Sequence, residues 1–131
     1  MGPRLNGVLD ASAFVDLLIG RVTGAGLALF DGEFSAPDVF MIETASGLRR
    51  SERQGLVSAT LVDTLFAEML AMPIELVGSR ELVERAFALR HSLSVADACY
   101  VALAERLECG LLTSDRRLAR APGVEVPVTV V

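Results

Sequence analysis

Short apolar runs alternate with longer helical patterns along the chain, and this alternation constrains the fold more than any other feature. Five runs have the composition of β-strands but no regular polar–apolar alternation: 7–9, 34–36, 74–77, 110–113 and 126–130. Such strands are typical of sheets covered on both faces. Helices are predicted between them at 12–19, 22–30, 38–53, 58–72, 79–90, 94–107 and, briefly, after Asp115. The pattern predicts a three-layer α/β/α sandwich around a short parallel sheet of four to five strands.

Length and hydropathy indicate one domain without membrane spans. A chain of 131 residues has the size of one ordinary domain, so residues 1–131 are expected to form a single unit. Hydrophobic residues make up 52% of the chain, yet no charge-free run approaches the roughly 20 residues that a spanning helix needs. Residues 1–6 lack the apolar segment of a secretory signal, so a cytoplasmic location is expected.

All 12 basic residues are arginines, and their chemistry excludes several mechanisms. Without lysine, neither Schiff-base chemistry nor a P-loop lysine is available. The net charge of −5 argues against a protein that coats nucleic acid with a basic surface. It does not exclude an enzyme acting on nucleic acid, because cations bound to clustered acids would cancel much of that charge.

Three aspartates follow predicted strands. Asp10 and Asp115 come after the first and fourth strands, and ligands bind beyond the carboxyl ends of strands in an open parallel sheet. Both also suit the N-cap position of the helix that follows them. Asp38, after the second strand, is interpreted as a helix cap alone.

Glu43 and Asp97 lie inside apolar helical segments, where a charge has no obvious partner. A buried carboxylate costs several kcal/mol unless it is paired, protonated or bound to a metal. No cation lies within one helical turn of Glu43. Asp97 has a second explanation, because it stands three residues after Ser94 and could be its capping-box partner.

If the fold brings four of these acids together, the site requires a cation. The four are Asp10, Glu43, Asp97 and Asp115. Two carboxylates 4 Å apart repel by about 4 kcal/mol at an effective dielectric of 20, so four cannot all stay ionised at neutral pH without compensation. An oxygen-only ligand set favours Mg²⁺ or Mn²⁺ over zinc. Water bound to such a cation is a nucleophile suited to attack on phosphorus.

Four segments resemble, in order and spacing, the signature of the PIN-domain family. They are residues 8–13 (VLDASA), 37–43 (PDVFMIE), 93–104 (LSVADACYVALA) and 111–118 (LLTSDRRL). In length and alternation the chain is similar to the VapC toxins of type II toxin–antitoxin pairs. The resemblance covers nearly the whole sequence.

This resemblance implies a Mg²⁺-dependent endoribonuclease, with Mn²⁺ as a substitute, in which the cation is held by Asp10, Glu43, Asp97 and Asp115. Ser12 and Thr113 match positions whose hydroxyls orient an acid or a metal-bound water. The family resemblance further implies a homodimer neutralised by a small VapB-type antitoxin. It implies neither the RNA target nor the cleavage sequence.

Arginines near the acids are candidates for binding RNA phosphates. Arg50 lies seven residues after Glu43, on the same helix face and about 10 Å further along the axis. Arg116 and Arg117 adjoin Asp115 and could hold phosphates through their planar guanidinium groups. The alternative is that these arginines are solvated helix ends favoured by the helix macrodipole.

Two other functions remain open from the sequence. The first is a non-catalytic PIN-like module that binds its antitoxin and, as a complex, promoter DNA. The second is a phospho-accepting receiver domain, which the absence of lysine argues against. Six phenylalanines and abundant leucine exceed the needs of one core, which predicts apolar surface covered by a partner chain, as in a homodimer.

Overall fold

The computed structural model describes residues 5–131, with side chains from Gly7 onward. Residues 1–4 lie outside that range. They belong to the segment 1–6 on which the expectation of no secretory signal is based. The strands are β1 (Leu5–Leu9), β2 (Glu33–Pro37), β3 (Glu75–Val77), β4 (Leu111–Thr113) and β5 (Val128–Val130). The α-helices are α1 (Ala11–Leu18), α2 (Phe40–Arg53), α3 (Ala59–Ala71), α4 (Val83–Ala88), α5 (Val95–Leu107) and α6 (Arg116–Arg120). Short 3₁₀ helices span Gly24–Phe30 and Ser79–Glu81.

The five strands form one parallel sheet in the order β3-β2-β1-β4-β5. Strand β1 therefore lies in the centre of the sheet, with β2 and β3 on one side of it and β4 and β5 on the other. Val8 pairs with Leu111 and Leu9 with Leu112, so β1 and β4 end side by side. This pair is the point at which the strand order reverses, and its carboxyl ends are where such sheets bind ligands.

Helices cover both faces of the sheet, which confirms the predicted three-layer fold. Right-handed crossovers place α1, α2 and α3 on one face and α4, α5 and α6 on the other. Helix α2 packs between α1 and α3, whereas α5 packs on α4 and lies across β1, β2 and β4. Strand β1 is therefore covered on both sides, as its continuous apolar composition predicts.

Helix α5 owes its central position to small side chains. Every residue from 98 to 104 is buried, and Ala98, Ala102 and Ala104 let the helix approach the sheet closely. On the other face, the rings of Phe14 and Phe40 stack with centroids 5.4 Å apart and join α1 to α2. These contacts hold the helices that border the carboxyl ends of β1 and β4.

Two predicted helices and one predicted cap differ from the structure. Segment 22–30 forms only the 3₁₀ helix Gly24–Phe30, because Gly24 adopts a φ of 61° and glycines favour other conformations over an α-helix. Segment 79–90 divides into the 3₁₀ helix Ser79–Glu81 and α4. Asp38 does not cap α2. Its backbone N–H still donates to Val77 in the strand ladder, 2.8 Å away, and its carboxylate accepts the N–H of Ser79 at 3.1 Å.

Large apolar side chains remain exposed on several elements. Ile42 on α2, Leu70 on α3 and Phe87 on α4 are 72%, 60% and 56% exposed. This agrees with the expectation that some apolar surface exceeds what one core can bury. Among residues 5–131, no helix has both the length and the apolar character needed to cross a membrane.

Gly47 sets the spacing between α1 and α2. A Cβ atom at this position would lie 2.6 Å from Cγ2 of Val15. The β-branched valine has little rotamer freedom and cannot easily move away. We therefore expect Gly47→Ala to lower the free energy of unfolding by about 1 kcal/mol. This is a net value, because a gain in helix propensity of similar size offsets part of the overpacking cost. Urea unfolding measures this change. Val15→Ala in the same chain should restore most of the loss, and wild-type stability of the single variant would contradict the close contact.

Candidate active site

A cleft of about 300 Å³ opens at the carboxyl ends of β1 and β4. Its walls come from α1, α2, α5 and the segment between β4 and α6. All four acids singled out in the sequence line it: Asp10, Glu43, Asp97 and Asp115. The fold thus brings carboxylates that are up to 105 residues apart in sequence to the place where the strand order reverses.

Asp10 is the most buried of these acids, at 7% exposure. It occupies the N-cap position of α1, but its side chain makes no capping hydrogen bond, so the capping interpretation of this carboxylate is wrong. Its Oδ2 instead accepts hydrogen bonds from Ser12 Oγ and Thr113 Oγ1, both at 2.6 Å. Within the described residues, Oδ1 accepts no hydrogen bond and is available to a ligand.

The two hydroxyls connect Asp10 to the segment after β4. Ser12 Oγ accepts the N–H of Ser114 at 3.1 Å, and Thr113 Oγ1 accepts the N–H of Asp115 at 3.0 Å. A hydroxyl has one proton to donate, and both protons are given to Asp10. The two oxygens therefore share a 3.2 Å contact without a proton between them. This network fixes the carboxylate of Asp10 relative to the backbone of Asp115.

Burial raises the pKa of Asp10 above its ordinary value. The hydrogen bonds from Ser12 and Thr113 act in the opposite direction, because they stabilise the ionised carboxylate. The negative charges of Asp97 and Asp115 raise the pKa further. The acids of the cleft are thus close enough to repel one another.

Glu43 lies on α2 and is held by Tyr100 from α5. The Tyr100 hydroxyl, fully buried, donates to Glu43 Oε1 at 2.7 Å. Burial raises the pKa of Glu43, the bond from Tyr100 lowers it, and the charges of Asp10 and Asp97 raise it. Sequence reasoning missed Tyr100. The available signal was its position three residues after Asp97, on the same face of α5.

Asp97 both supports a helix start and faces the cleft. Its backbone N–H donates to Ser94 Oγ at 3.1 Å, which caps α5. The reciprocal bond, in which the Ser94 backbone N–H would donate to the Asp97 carboxylate, does not occur among the described residues. The cap therefore uses the main chain of Asp97 and leaves its side chain available in the cleft.

Asp115 is both a helix cap and half of an ion pair. Its Oδ1 accepts the N–H of Arg117 at 2.9 Å, as the sequence predicts for the start of α6. The guanidinium of Arg117 also contacts the carboxylate, with Nε and Nη2 each 3.2 Å from an oxygen. These hydrogen bonds lower the pKa of Asp115. Of Asp10, Glu43, Asp97 and Asp115, Asp115 is therefore the one whose charge an arginine within the described residues already balances.

The three arginines proposed from sequence occupy different environments. Arg50 lines the cleft itself. Arg117 is 90% exposed and engaged with Asp115, and Arg116 is exposed and lies outside the cleft lining. The cleft also contains residues that sequence reasoning did not select, among them the ion pair of Asp16 and Arg21 at 3.9 Å.

A comparison with protein families decides the classification. The family model described as PIN domain matches residues 7–124, a segment that contains all four cleft acids. This chain belongs to the PIN-domain family. The resemblance inferred from the four sequence segments is thereby confirmed.

Relatives of this PIN-domain protein are VapC ribonucleases by name. Ribonuclease VapC3 of Mycobacterium tuberculosis is 38% identical over 117 residues, which cover 87% of this chain and 85% of that protein. Ribonuclease VapC12 of the same species is 34% identical, covering 95% of this chain and 98% of the relative. VapC ribonuclease Mb0985 of Mycobacterium bovis is 36% identical, with 95% and 97% covered.

The donor set of this PIN domain fits a hard divalent cation. Within the part of the chain that the structure describes, no three Asp, Glu, His or Cys side chains are close enough to share one metal ion. Mg²⁺ does not require three protein ligands, because it usually keeps several waters and binds through one or two carboxylates. The free Oδ1 of Asp10 and the mutual repulsion of the acids suit such a cation.

Proposed function

We propose that this protein is a metal-dependent endoribonuclease and the toxin of a VapBC-type toxin–antitoxin system, formed by a single PIN domain over residues 1–131. The observation that carries the proposal is the meeting of Asp10, Glu43, Asp97 and Asp115 in one cleft at the strand-order reversal. Similarity over most of the chain to proteins named ribonuclease VapC supports the choice of RNA as substrate.

The residues of the cleft divide into ligands and supports. Asp10, Asp97, Asp115 and Glu43 would hold the cation, directly or through its waters. Mg²⁺, or Mn²⁺ in its place, would supply a water of lowered pKa for phosphodiester hydrolysis, and the expected product carries a 5′-phosphate. The hydrogen bonds from Ser12 and Thr113 favour the ionised form of Asp10 and orient it, and Tyr100 orients Glu43. Arg50, at the cleft wall, binds the RNA backbone.

Divalent cations should stabilise the fold through this cleft. A ligand that binds only the native state adds about 2.7 kcal/mol to the free energy of unfolding at 100 times its dissociation constant. We expect the melting temperature to rise with MgCl₂, at constant ionic strength, because the cation relieves repulsion between the acids. The rise should be largely lost in Asp10→Asn/Asp97→Asn. An equal rise in that double variant would place the cation elsewhere.

RNA cleavage by the purified protein tests the proposal. In the presence of Mg²⁺ it should produce fragments whose 5′ ends carry a phosphate, and sequencing those ends would also give the cleavage site. Fragments with 5′-hydroxyl ends would contradict hydrolysis by a metal-activated water.

One observation favours the second candidate, a non-catalytic module that regulates its own promoter with its antitoxin. The four acids do not form a cluster of direct metal ligands, and Arg117 already neutralises Asp115. This alternative predicts intact RNA in the same assay, whatever metal is added.

Partner chains follow from the same proposal. A cognate VapB-type antitoxin and a homodimer would cover apolar surface such as Ile42, Leu70 and Phe87. We place the complex in the cytoplasm, where RNA is available. Sedimentation that finds only monomer at micromolar concentration would count against the homodimer.

A further inference from the structure

A second concavity, here called the arginine groove, lies beside the acidic cleft. Its volume is about 400 Å³, and it is lined by Ser46, Arg49, Arg50, Arg53 and Gln54. Arg50 and Gln54 line the acidic cleft as well, so the two concavities adjoin along α2. A bound chain could pass from one into the other without leaving the surface of α2.

The spacing of these residues puts them on one face of the helix. Positions 46, 49, 50, 53 and 54 follow the i, i+3, i+4, i+7, i+8 pattern of a single helical stripe. Arg50 lies about 10 Å, and Arg53 about 15 Å, beyond Glu43 along the helix axis. The stripe therefore leads away from the carboxylates in an ordered row.

The arginines of the groove have no carboxylate partner within 4.0 Å among the described residues. Arg21, Arg85, Arg106 and Arg117, in contrast, each pair with an acid. All three groove arginines are exposed. In a protein of net charge −5, three neighbouring guanidinium groups with no carboxylate within 4.0 Å among the described residues form a local positive surface.

The helix macrodipole explains this row only in part. Cations are favoured in the last turn of a helix, and Arg50 and Arg53 stand there. Arg49 lies outside that turn, and like charges three and four residues apart destabilise a helix. An anion bound in the groove would remove this repulsion, and the planar guanidinium is the cation best matched to phosphate oxygens.

We propose that the arginine groove binds backbone phosphates of single-stranded RNA as it leaves the acidic cleft. This inference rests on the proposed ribonuclease function. The acids repel the RNA backbone except where a cation neutralises them, whereas the groove attracts it. Repulsion by the acidic cleft and attraction by the arginine groove thus determine which phosphate reaches the acids. The groove holds the nucleotides that follow.

Salt dependence of RNA binding tests the groove without cleavage. Fluorescence anisotropy in EDTA would compare wild type, Arg49→Ala, Arg53→Ala and the double variant on a labelled single-stranded RNA. Each phosphate contact contributes about 0.7 to the slope of log K against log salt concentration. Each single variant should lower the steepness of that slope by about 0.7. The ratio of wild-type to variant affinity should therefore shrink about 2.5-fold between 50 and 200 mM salt. The slope of the double variant should fall by about twice as much as that of either single variant.

Arg90→Ala is the matched control for charge. Arg90 follows α4 on the opposite face of the sheet and stacks 4.4 Å from the Phe87 ring centroid. Its slope should equal that of wild type, and an equal loss in this control would overturn the proposal. A wild-type slope in the double variant would overturn it too. Binding of a polyglutamate peptide as tight as RNA binding, and equally weakened in the double variant, would assign the groove to an acidic protein instead.

Cleavage measured in parallel separates this inference from the proposed function. A reduced slope with no cleavage in Mg²⁺ would support the groove and reject the nuclease. Cleavage with an unchanged slope would support the nuclease and reject the groove.

Discussion

Asp10→Asn is expected to reduce RNA cleavage at least about 100-fold, because loss of even an outer partner of a metal site costs 10–100-fold in affinity or activity. The same variant should be more stable than wild type in metal-free buffer. Burial raises the pKa of Asp10, so its ionisation at neutral pH opposes folding. A neutral amide removes that cost while keeping an oxygen to accept from Ser12 and Thr113.

The pH dependence of this stability gain has a defined sign. The folded protein holds the Asp10 proton more tightly than the unfolded chain, so wild type loses stability as the pH rises from the ordinary aspartate pKa of about 4 through the raised value. The gain of Asp10→Asn should therefore be present at pH 7 and shrink towards pH 4. Urea unfolding at both pH values measures it.

Asp38→Asn is the matched control for activity. Asp38 also follows a strand, but it lies outside the cleft lining. Among the described residues its carboxylate accepts only the N–H of Ser79, which an amide oxygen can also do. Its cleavage rate should be that of wild type. Equal rates for the Asp10 and Asp38 variants would remove Asp10 from the site.

Two buried threonines should respond in opposite ways to replacement by valine. Thr113 and Thr44 are both fully buried. Thr113 donates to the Asp10 carboxylate and accepts the N–H of Asp115, so Thr113→Val should cost about 3 kcal/mol, the sum of a charge-assisted bond and an unsatisfied donor. Thr44 Oγ1 has no hydrogen-bond partner among the described residues, so Thr44→Val should stabilise by about 1 kcal/mol.

Unfolding at two pH values distinguishes a lost hydrogen bond from a packing defect in Thr113→Val. The Thr113 hydroxyl favours the ionised form of Asp10, so its loss should cost more at pH 7 than at pH 4. A cost that is equal at both values would indicate packing alone. Equal effects of the two threonine variants would contradict the hydrogen-bond network.

The sequence predicts the sheet and the positions of Asp10 and Asp115, because the apolar composition of a strand and the point where it ends are local properties. It could not predict that Asp38 would bond to Ser79, since that contact depends on where the segment after β3 lies. Glu43 was recognised as a buried charge without a cation, but its partner Tyr100 comes from α5, 57 residues away. Local spacing identified the acids, whereas the pairing of their side chains follows from tertiary packing.

The partner of a side chain cannot be predicted from the sequence even between near neighbours, as Arg117 shows. Its position beside Asp115 suggested a phosphate ligand, yet in the structure it forms an ion pair with Asp115. Both uses require a guanidinium near the cleft, and sequence spacing does not distinguish them. The groove that Arg49 and Arg53 line with Arg50 depends on the tertiary position of α2, which sequence spacing does not give.

We propose that the acids beyond the ends of β1 and β4 cut RNA with a divalent cation. Chelation and add-back on one synthetic RNA test it most directly. We expect cleavage in Mg²⁺, none in excess EDTA, recovery when Mg²⁺ or Mn²⁺ is restored, and no recovery in Asp10→Asn. Cleavage that persists in EDTA, or that Asp10→Asn carries out at the wild-type rate, would contradict the account.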